Sequence, residues 1–198
     1  MMSTNMFAHS DESATVNRLH ARLQSAAATE GLLDIAYRTV DTPIGALLLA
    51  RTELGLVRVA FAIEGHDAVL AALADTVSPR ILRAPAHLDD AARQLDEYFA
   101  HRRTEFDIAM DLRLAHGFRR TVIEHLRDIG YGKRETYADV AAAVGNPKAV
   151  RAVGSACARN PLPVVIPCHR VVRSDGSPGQ YAGGAATKLA LLGIEEAA

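Results

Sequence analysis

Apolar positions along the chain change period several times, and each change marks an element. Leu33 to Val40 alternates closely enough to be a strand, interrupted by Thr42-Pro43. Ile44 to Ala50 and Leu56 to Ile63 are apolar, partly β-branched runs. Glu53-Leu54-Gly55 separates them, which predicts a hairpin. Helical spacing follows at about His66–Val77 and at His87–His101, where Leu88, Ala91, Ala92, Leu95, Tyr98 and Phe99 lie near one face. Thr104 to Leu112 alternates again and is expected to return to the sheet. Ahead of all these, Met1 to Glu30 reads as an extension. It is polar at first and helical from about Ser13, with Val16, Leu19, Leu23 and Ala27 on one side.

The second half is mainly helical. Phe118, Val122, Ile123, Leu126 and Ile129 share one helical face, and Gly130-Tyr131-Gly132 ends the helix. Thr136 and Asp139 form a capping box for a short helix that carries Tyr137, Val140, Ala141 and Val144 and stops at Gly145. Asn146 is expected to cap the next helix, with Pro147 in its first turn. Two short helices joined by Gly145-Asn146-Pro147 predict a helix-turn-helix. In the second of them, Ala149, Ala152, Val153, Ala156 and Cys157 follow the spacing of a buried stripe. Lys148, Arg151, Ser155 and Arg159 follow the opposite face. Small Gly154 and Ser155 beside Arg151 would let the backbone come close to a groove of DNA. The pattern describes an α+β protein. Residues 1–32 are an extension, 33–113 a small α/β domain, and 114–198 a mainly helical domain.

Charge adds one asymmetry. The net charge is −1 over 198 residues, yet residues 117–198 carry 11 basic and 7 acidic groups, against 11 and 16 in the rest. A polyanion would meet the second half. No apolar run approaches the ~20 residues that span a bilayer, and the first thirty residues lack the apolar stretch of a secretory signal. A cytoplasmic protein with no membrane partner is expected. The two cysteines, Cys157 and Cys168, form no CxxC pair and no cluster with metal-ligand spacing, so no metal is expected.

The chemistry concentrates near Cys168. Asn160-Pro161-Leu162-Pro163 is a stiff turn that cannot continue a helix. Val164-Val165-Ile166 reads as a short buried strand, with Pro167-Cys168-His169-Arg170-Val171-Val172 at its end. A thiol attacks as a thiolate, and an imidazole or positive charge lowers its pKa. His169 and Arg170 adjoin Cys168, although strand neighbours point to opposite faces, so His169 must reach the sulfur by a bend or through water. Cys157, inside an apolar stripe, reads as a buried structural thiol. From these residues alone, a helix-turn-helix regulator without chemistry and a cysteine hydrolase both stay open.

Ile166-Pro167-Cys168-His169-Arg170-Val171-Val172 resembles the active-site signature of the O6-alkylguanine-DNA alkyltransferases. Asn146 to Gly154 resembles that family's recognition helix, and Asn160-Pro161-Leu162-Pro163 its asparagine hinge. Tyr181-Ala182-Gly183-Gly184 with Lys188, Leu191, Leu192 and Glu195 resembles its C-terminal segment. The weaker match of Pro43-Ile44-Gly45 through Phe61, and of Tyr98-Phe99 before Phe106-Asp107, resembles its ribonuclease-H-like N-terminal domain. The resemblance implies irreversible, single-use transfer of alkyl groups from O6-alkylguanine, and from O4-alkylthymine, onto Cys168, with no cofactor. It implies that His169 deprotonates Cys168 through a water and that Glu195 orients His169. Tyr181 would donate to the departing guanine, and Asn160 would hold the turn. It further implies a monomer bound in the minor groove of double-stranded DNA with the target nucleotide flipped out. Tyr137 would turn the phosphate and Arg151 would fill the gap. Lys148, Ala149, Ala152, Gly154 and Ser155 would line the contact, while Pro163, Val171, Ala182 and Gly183 would shape the pocket.

Three stretches depart from the family pattern: Gly130-Tyr131-Gly132-Lys133-Arg134, Ile123 in place of a frequent aromatic, and Gln180 in place of a frequent glycine. They bear on loop geometry and substrate breadth.

Overall fold

The structure, a computed structural model, describes residues 15–196 except 17, 20, 21, 25 and 28. The start of the expected extension, 1–14, lies outside the described residues. Those described between 15 and 29 are helical, and Val16, Leu19 and Leu23 are exposed.

Strands β1 (Ile35–Val40), β2 (Leu47–Thr52) and β3 (Gly55–Phe61) form an antiparallel meander. A fourth strand, β4 (Ile81–Arg83), lies parallel to β1 and gives the order β3-β2-β1-β4. Strand β2 is apolar at successive positions because both of its faces are covered. Leu48 and Ala50 meet Val69 and Leu73 of helix α1 (His66–Thr76) on one side. Leu47 and Leu49 meet Leu95 and Tyr98 of helix α2 (Asp89–Phe99) on the other. That second cluster runs without a break into the C-terminal half, so one core serves both halves.

The sheet departs from the expectation at two places, one a strand not expected and one an expected strand that does not form. β4 spans only three residues, too few to produce a visible period. Thr104 to Leu112 does not become a strand. It touches the β3 edge at Leu56 alone, where Leu56 N donates to Ala109 O and Asp111 N donates to Leu56 O, both at 2.8 Å. The edge further along is already occupied, because Val59 N donates to the Pro161 carbonyl at 2.8 Å. A strand from the first half and the hinge before Cys168 are thereby stitched together.

The C-terminal half comprises α3 (Gly117–Leu126), β5 (Glu135–Thr136), α4 (Tyr137–Ala143), α5 (Val150–Ala158), β6 (Val171–Val172) and α6 (Ala185–Glu196). β5 and β6 pair in parallel, and α5 packs against α3 and α4. The capping box forms as expected: Asp139 N donates to Thr136 Oγ1 at 3.1 Å, and Thr136 N donates to Asp139 Oδ2 at 2.8 Å. Asn146 does not cap the following helix. Gly145, at φ +75°, closes α4, and Asn146 with Pro147 forms a further turn in which Ala149 N donates to Asn146 O. The helix therefore starts later, at Val150. Its buried stripe is also narrower than the spacing implies: Val153, Ala156 and Cys157 are buried, Ala149 is half-buried and Ala152 is exposed.

Val164 to Ile166 is a tight turn, not a strand. Val164 adopts φ +74° and Ile166 N donates to Leu162 O at 2.8 Å. Prolines at 161, 163 and 167 remove alternate backbone donors, which a strand ladder needs.

At Gly55, with φ +143°, the chain passes close against the Ala109–Met110 backbone. A Cβ there would lie inside the Ala109 carbonyl and 2.8 Å from Met110 N. Gly55→Ala should therefore cost roughly 2–4 kcal/mol of folding stability, from strain plus a forced backbone shift. Urea denaturation measures this, and a loss below about 1 kcal/mol would contradict the close approach.

Candidate active site

Cys168 opens a single 3-10 turn, Cys168–Arg170, and is 2% exposed. Successive side chains on such a turn stand about 120° apart, so Cys168, His169 and Arg170 are all buried but face different neighbours. Asn160 ties the turn to the hinge. Its Nδ2 donates to Ile166 O at 2.8 Å and reaches Cys168 Sγ at 3.1 Å, while its Oδ1 accepts from Leu162 N at 3.0 Å.

His169 turns one ring nitrogen toward α6. Its Nε2 lies 2.8 Å from Glu195 Oε1. The same carboxylate accepts from Arg170 Nε and Nη2 at 2.9 Å, from Tyr98 Oη at 2.8 Å and from Gly132 N at 3.1 Å. Burial alone would raise the Glu195 carboxyl, but the donors from His169 and Arg170 outweigh it and hold the group at about 2. Burial pushes the His169 imidazole below its ordinary range despite the carboxylate beside it. The charged pair is thus Arg170 with Glu195, and His169 is neutral. With Glu195 ionised, Nε2 carries the proton and Nδ1 is left as an acceptor. That Nδ1 is buried and has no partner.

The expected lowering of the Cys168 pKa does not occur in the resting protein. Burial pushes the thiol up, and the Asn160 donor and the Lys188 charge offset this only in part. The Arg170 charge is committed to Glu195. Burial also raises Cys157, on the inner face of α5. Tyr181 is the other polar group at the sulfur. Its hydroxyl is enclosed beside Cys168 without a hydrogen bond of normal geometry, and its ring meets that of His169 edge-on at 6.5 Å. Lys188 is fully buried, donates to Val171 O and lies 5.7 Å from the centre of the Tyr137 ring.

The other predicted residues fall into two groups. Arg151, Ala152 and Ser155 are exposed on α5 beside half-buried Gly154, and the turn before it carries exposed Lys148 and half-buried Ala149. Tyr137 lies across Gly154 and against Gly179, where a Cβ would meet its hydroxyl at 2.9 Å. Pro163 and Val171 are buried next to the turn, and Ala182 and Gly183 are half-buried. A Cβ on Gly183 would come within 3.0 Å of the Phe61 ring, which itself packs edge-on against Tyr181 at 5.5 Å. Arg151 stays on the surface, apart from the buried cluster.

Sequence reasoning did not connect Arg170, Gly132 or Tyr98 with Glu195. Tyr98 carried one usable signal: a tyrosine on the buried face of α2 needs a partner for its hydroxyl.

Residues 117–197 match the family model for the DNA-binding domain of 6-O-methylguanine DNA methyltransferase, and 35–112 match its ribonuclease-like domain. The chain belongs to the 6-O-methylguanine DNA methyltransferase family. A methylated-DNA–protein-cysteine methyltransferase of Mycolicibacterium paratuberculosis is 39% identical over 161 residues, covering 81% of this chain and 92% of that protein. The constitutive one of Bacillus subtilis is 39% identical over 160 residues, covering 80% and 94%. The crystal structure of Mycobacterium tuberculosis O6-methylguanine methyltransferase superposes with a TM-score of 0.73 at 35% identity, covering 82% of this chain and 93% of that one. The α+β architecture expected from the pattern, with its ribonuclease-like first half, is that of the 6-O-methylguanine DNA methyltransferase family.

The charges at Glu195 and His169 act in one direction on acidification. The Glu195 contribution to stability is present above the ordinary carboxyl value of 4.5 and is lost as pH falls toward about 2. His169 is held neutral by burial and takes up a proton more readily when unfolded, so stability already declines below the ordinary imidazole value of 6.5. Urea unfolding over this range should show a continuous loss on acidification, and Glu195→Gln should flatten its lower part. A flat profile in the parent protein would contradict both assignments.

Proposed function

We propose that the protein repairs DNA by taking methyl and larger alkyl groups from O6-alkylguanine, and from O4-alkylthymine, onto Cys168. The reading rests on one observation: the turn that encloses the Cys168 thiol also carries an enclosed, unpartnered acceptor, His169 Nδ1, while the enclosed Tyr181 hydroxyl lies beside the sulfur. These are an acceptor for the proton the thiol must lose and a donor for the base that must leave. The relatives that are 39% identical carry the name of this reaction.

In this reading a water passes the Cys168 proton to His169 Nδ1, and Glu195 supports the imidazolium that forms. The sulfur forms its bond to the alkyl carbon as the bond from that carbon to O6 breaks. The electron pair stays on guanine, which takes the Tyr181 proton and leaves as the neutral base, and the proton taken from Cys168 then restores the Tyr181 hydroxyl, so that charge and protons balance. The product is a thioether that water does not cleave, so each molecule acts once and needs no cofactor. Asn160 holds the thiol in the turn.

DNA is the partner, and a Mycobacterium tuberculosis relative at 36% identity has been solved in complex with DNA. Residues 33–113 and 114–198 act as two domains, the second carrying both DNA binding and the acceptor. Helices α4 and α5 form a helix-turn-helix whose exposed face enters the minor groove. A buried thiol reaches a stacked base only if the base is flipped out. Tyr137 turns the phosphate of that nucleotide, and Arg151 fills the vacated space. Lys148, Ala149, Ala152, Gly154 and Ser155 lie along the groove, and Pro163, Val171, Ala182 and Gly183 bound the pocket. The protein works as a monomer in the cytoplasm, where its two thiols stay reduced.

Mass spectrometry after incubation with excess duplex carrying O6-methylguanine should find one methyl, on Cys168, and never more than one product per protein. Cys168→Ala should gain none yet still bind DNA, whereas Cys157→Ala should remain an acceptor. Sustained turnover, or a methyl on Cys157, would overturn the assignment.

Arg151→Ala should slow transfer from duplex DNA at least about tenfold more than transfer from free O6-alkylguanine base, because opening a pair costs a few kcal/mol. Arg151→Lys should restore little, since an ammonium cannot stack as a guanidinium does. If both substrates slow equally, Arg151 belongs to the chemistry or the fold. If lysine restores the rate, it serves as a phosphate contact only.

A further inference from the structure

Glu195 receives one donor from outside the C-terminal half. Tyr98, on the buried face of α2, is fully enclosed and donates from Oη to Glu195 Oε1 at 2.8 Å. The same oxygen lies 2.8 Å from His169 Nε2. The ring is clamped by Phe99 and Phe106, each at 5.3 Å, and by Tyr131 at 6.0 Å. A hydroxyl on so constrained a ring has little freedom to point elsewhere.

We infer that Tyr98 is a positioning residue for alkyl transfer, acting through Glu195 on His169, and that the ribonuclease-like half thereby takes part in the chemistry. The inference rests on the reading of Cys168 as acceptor. Two effects follow from the shared oxygen. Tyr98, together with Arg170 Nη2 at 2.9 Å, fixes where Oε1 sits, and so fixes the plane of the imidazole bonded to it. It also draws charge from the oxygen that His169 faces, which makes the imidazole less basic and keeps it neutral before reaction. The groups around this pair are few. Arg170 comes from the same turn as His169, Tyr131 from the loop after α3, Lys188 from α6, and Tyr181 with Cys168 from the pocket side. Of these only Arg170 also donates to Oε1, and it does so from the turn that carries His169, so Tyr98 is the donor that reaches this oxygen from the first half.

The test uses single-turnover transfer from a duplex carrying O6-methylguanine, measured from pH 5.5 to 9 on the full chain. Tyr98→Phe keeps the ring and removes the donor. Transfer on the plateau should fall about tenfold, a fraction of what a general base contributes. The acid limb should move to higher pH, because Glu195 then pulls harder on the His169 proton. Replacing Tyr98 with 3-fluorotyrosine, a stronger donor of nearly the same shape, should move the limb to lower pH. Phe106→Leu is the packing control: stability should drop and the limb should stay in place. On a Glu195→Gln background, Tyr98→Phe should slow transfer no further. An unmoved limb in Tyr98→Phe, with or without a loss of rate, overturns the proposal and makes Tyr98 a packing residue. If Tyr98→Phe does not fold, the fluorotyrosine protein decides alone, by the same criterion. Absence of any methyl on Cys168 in the parent protein would instead overturn the transfer reading itself.

Discussion

A single buried carboxylate organises this molecule. Removing an ion such as Glu195 from water costs several kcal/mol, and the cost is recovered only if good donors surround it. Here the donors come from separate parts of the chain: Tyr98 from α2, the Gly132 amide from the loop before β5, and His169 with Arg170 from the turn that starts at Cys168. Tyr131 adds a bond from its hydroxyl to the Ile194 carbonyl in the same helix. The end of α6 therefore cannot shift without leaving several of these groups unpaired. The thiol is held differently. It has one side-chain donor, Asn160, and otherwise takes its place from the turn that the carboxylate anchors.

This arrangement accounts for the state of the sulfur. Burial keeps Cys168 protonated, since the guanidinium nearest in sequence already faces Glu195. A protonated sulfur in a closed pocket is a poor scavenger of small electrophiles in solution. Reactivity has to be generated in place, by a base with one free nitrogen. The unpartnered His169 Nδ1 has that character.

How much of this was legible in the chain depended on the range of the interaction. The Thr136–Asp139 cap is a contact three residues long, and it forms as the pattern predicts. The two-sided burial of β2 shows in its unbroken apolar run. Features fixed by distant partners were misread. Thr104 to Leu112 alternates like a strand, but Pro161 occupies the edge it would need. Val164 to Ile166 is β-branched and apolar, yet its flanking prolines bend it into a turn. The motif around Cys168 showed a thiol next to an imidazole; the pairing of that imidazole with Glu195 of α6 came from the family resemblance and is not visible in any local pattern. The distance from Tyr98 to Glu195 is 97 positions along the chain, and no local pattern encodes such a bond.

The same long-range bonds limit how the protein can be recombined. The boundary between its halves looks like a natural place to cut, since each half has its own elements and its own family match. Far from the linker, contacts cross that boundary at Tyr98 to Glu195, at Val59 to Pro161, and where the Phe61 ring packs against Tyr181 and Gly183. A chimera joining the first half of one relative to the second half of another has to preserve all three at once. The inheritable unit is the pair of surfaces, and the linker between them is incidental.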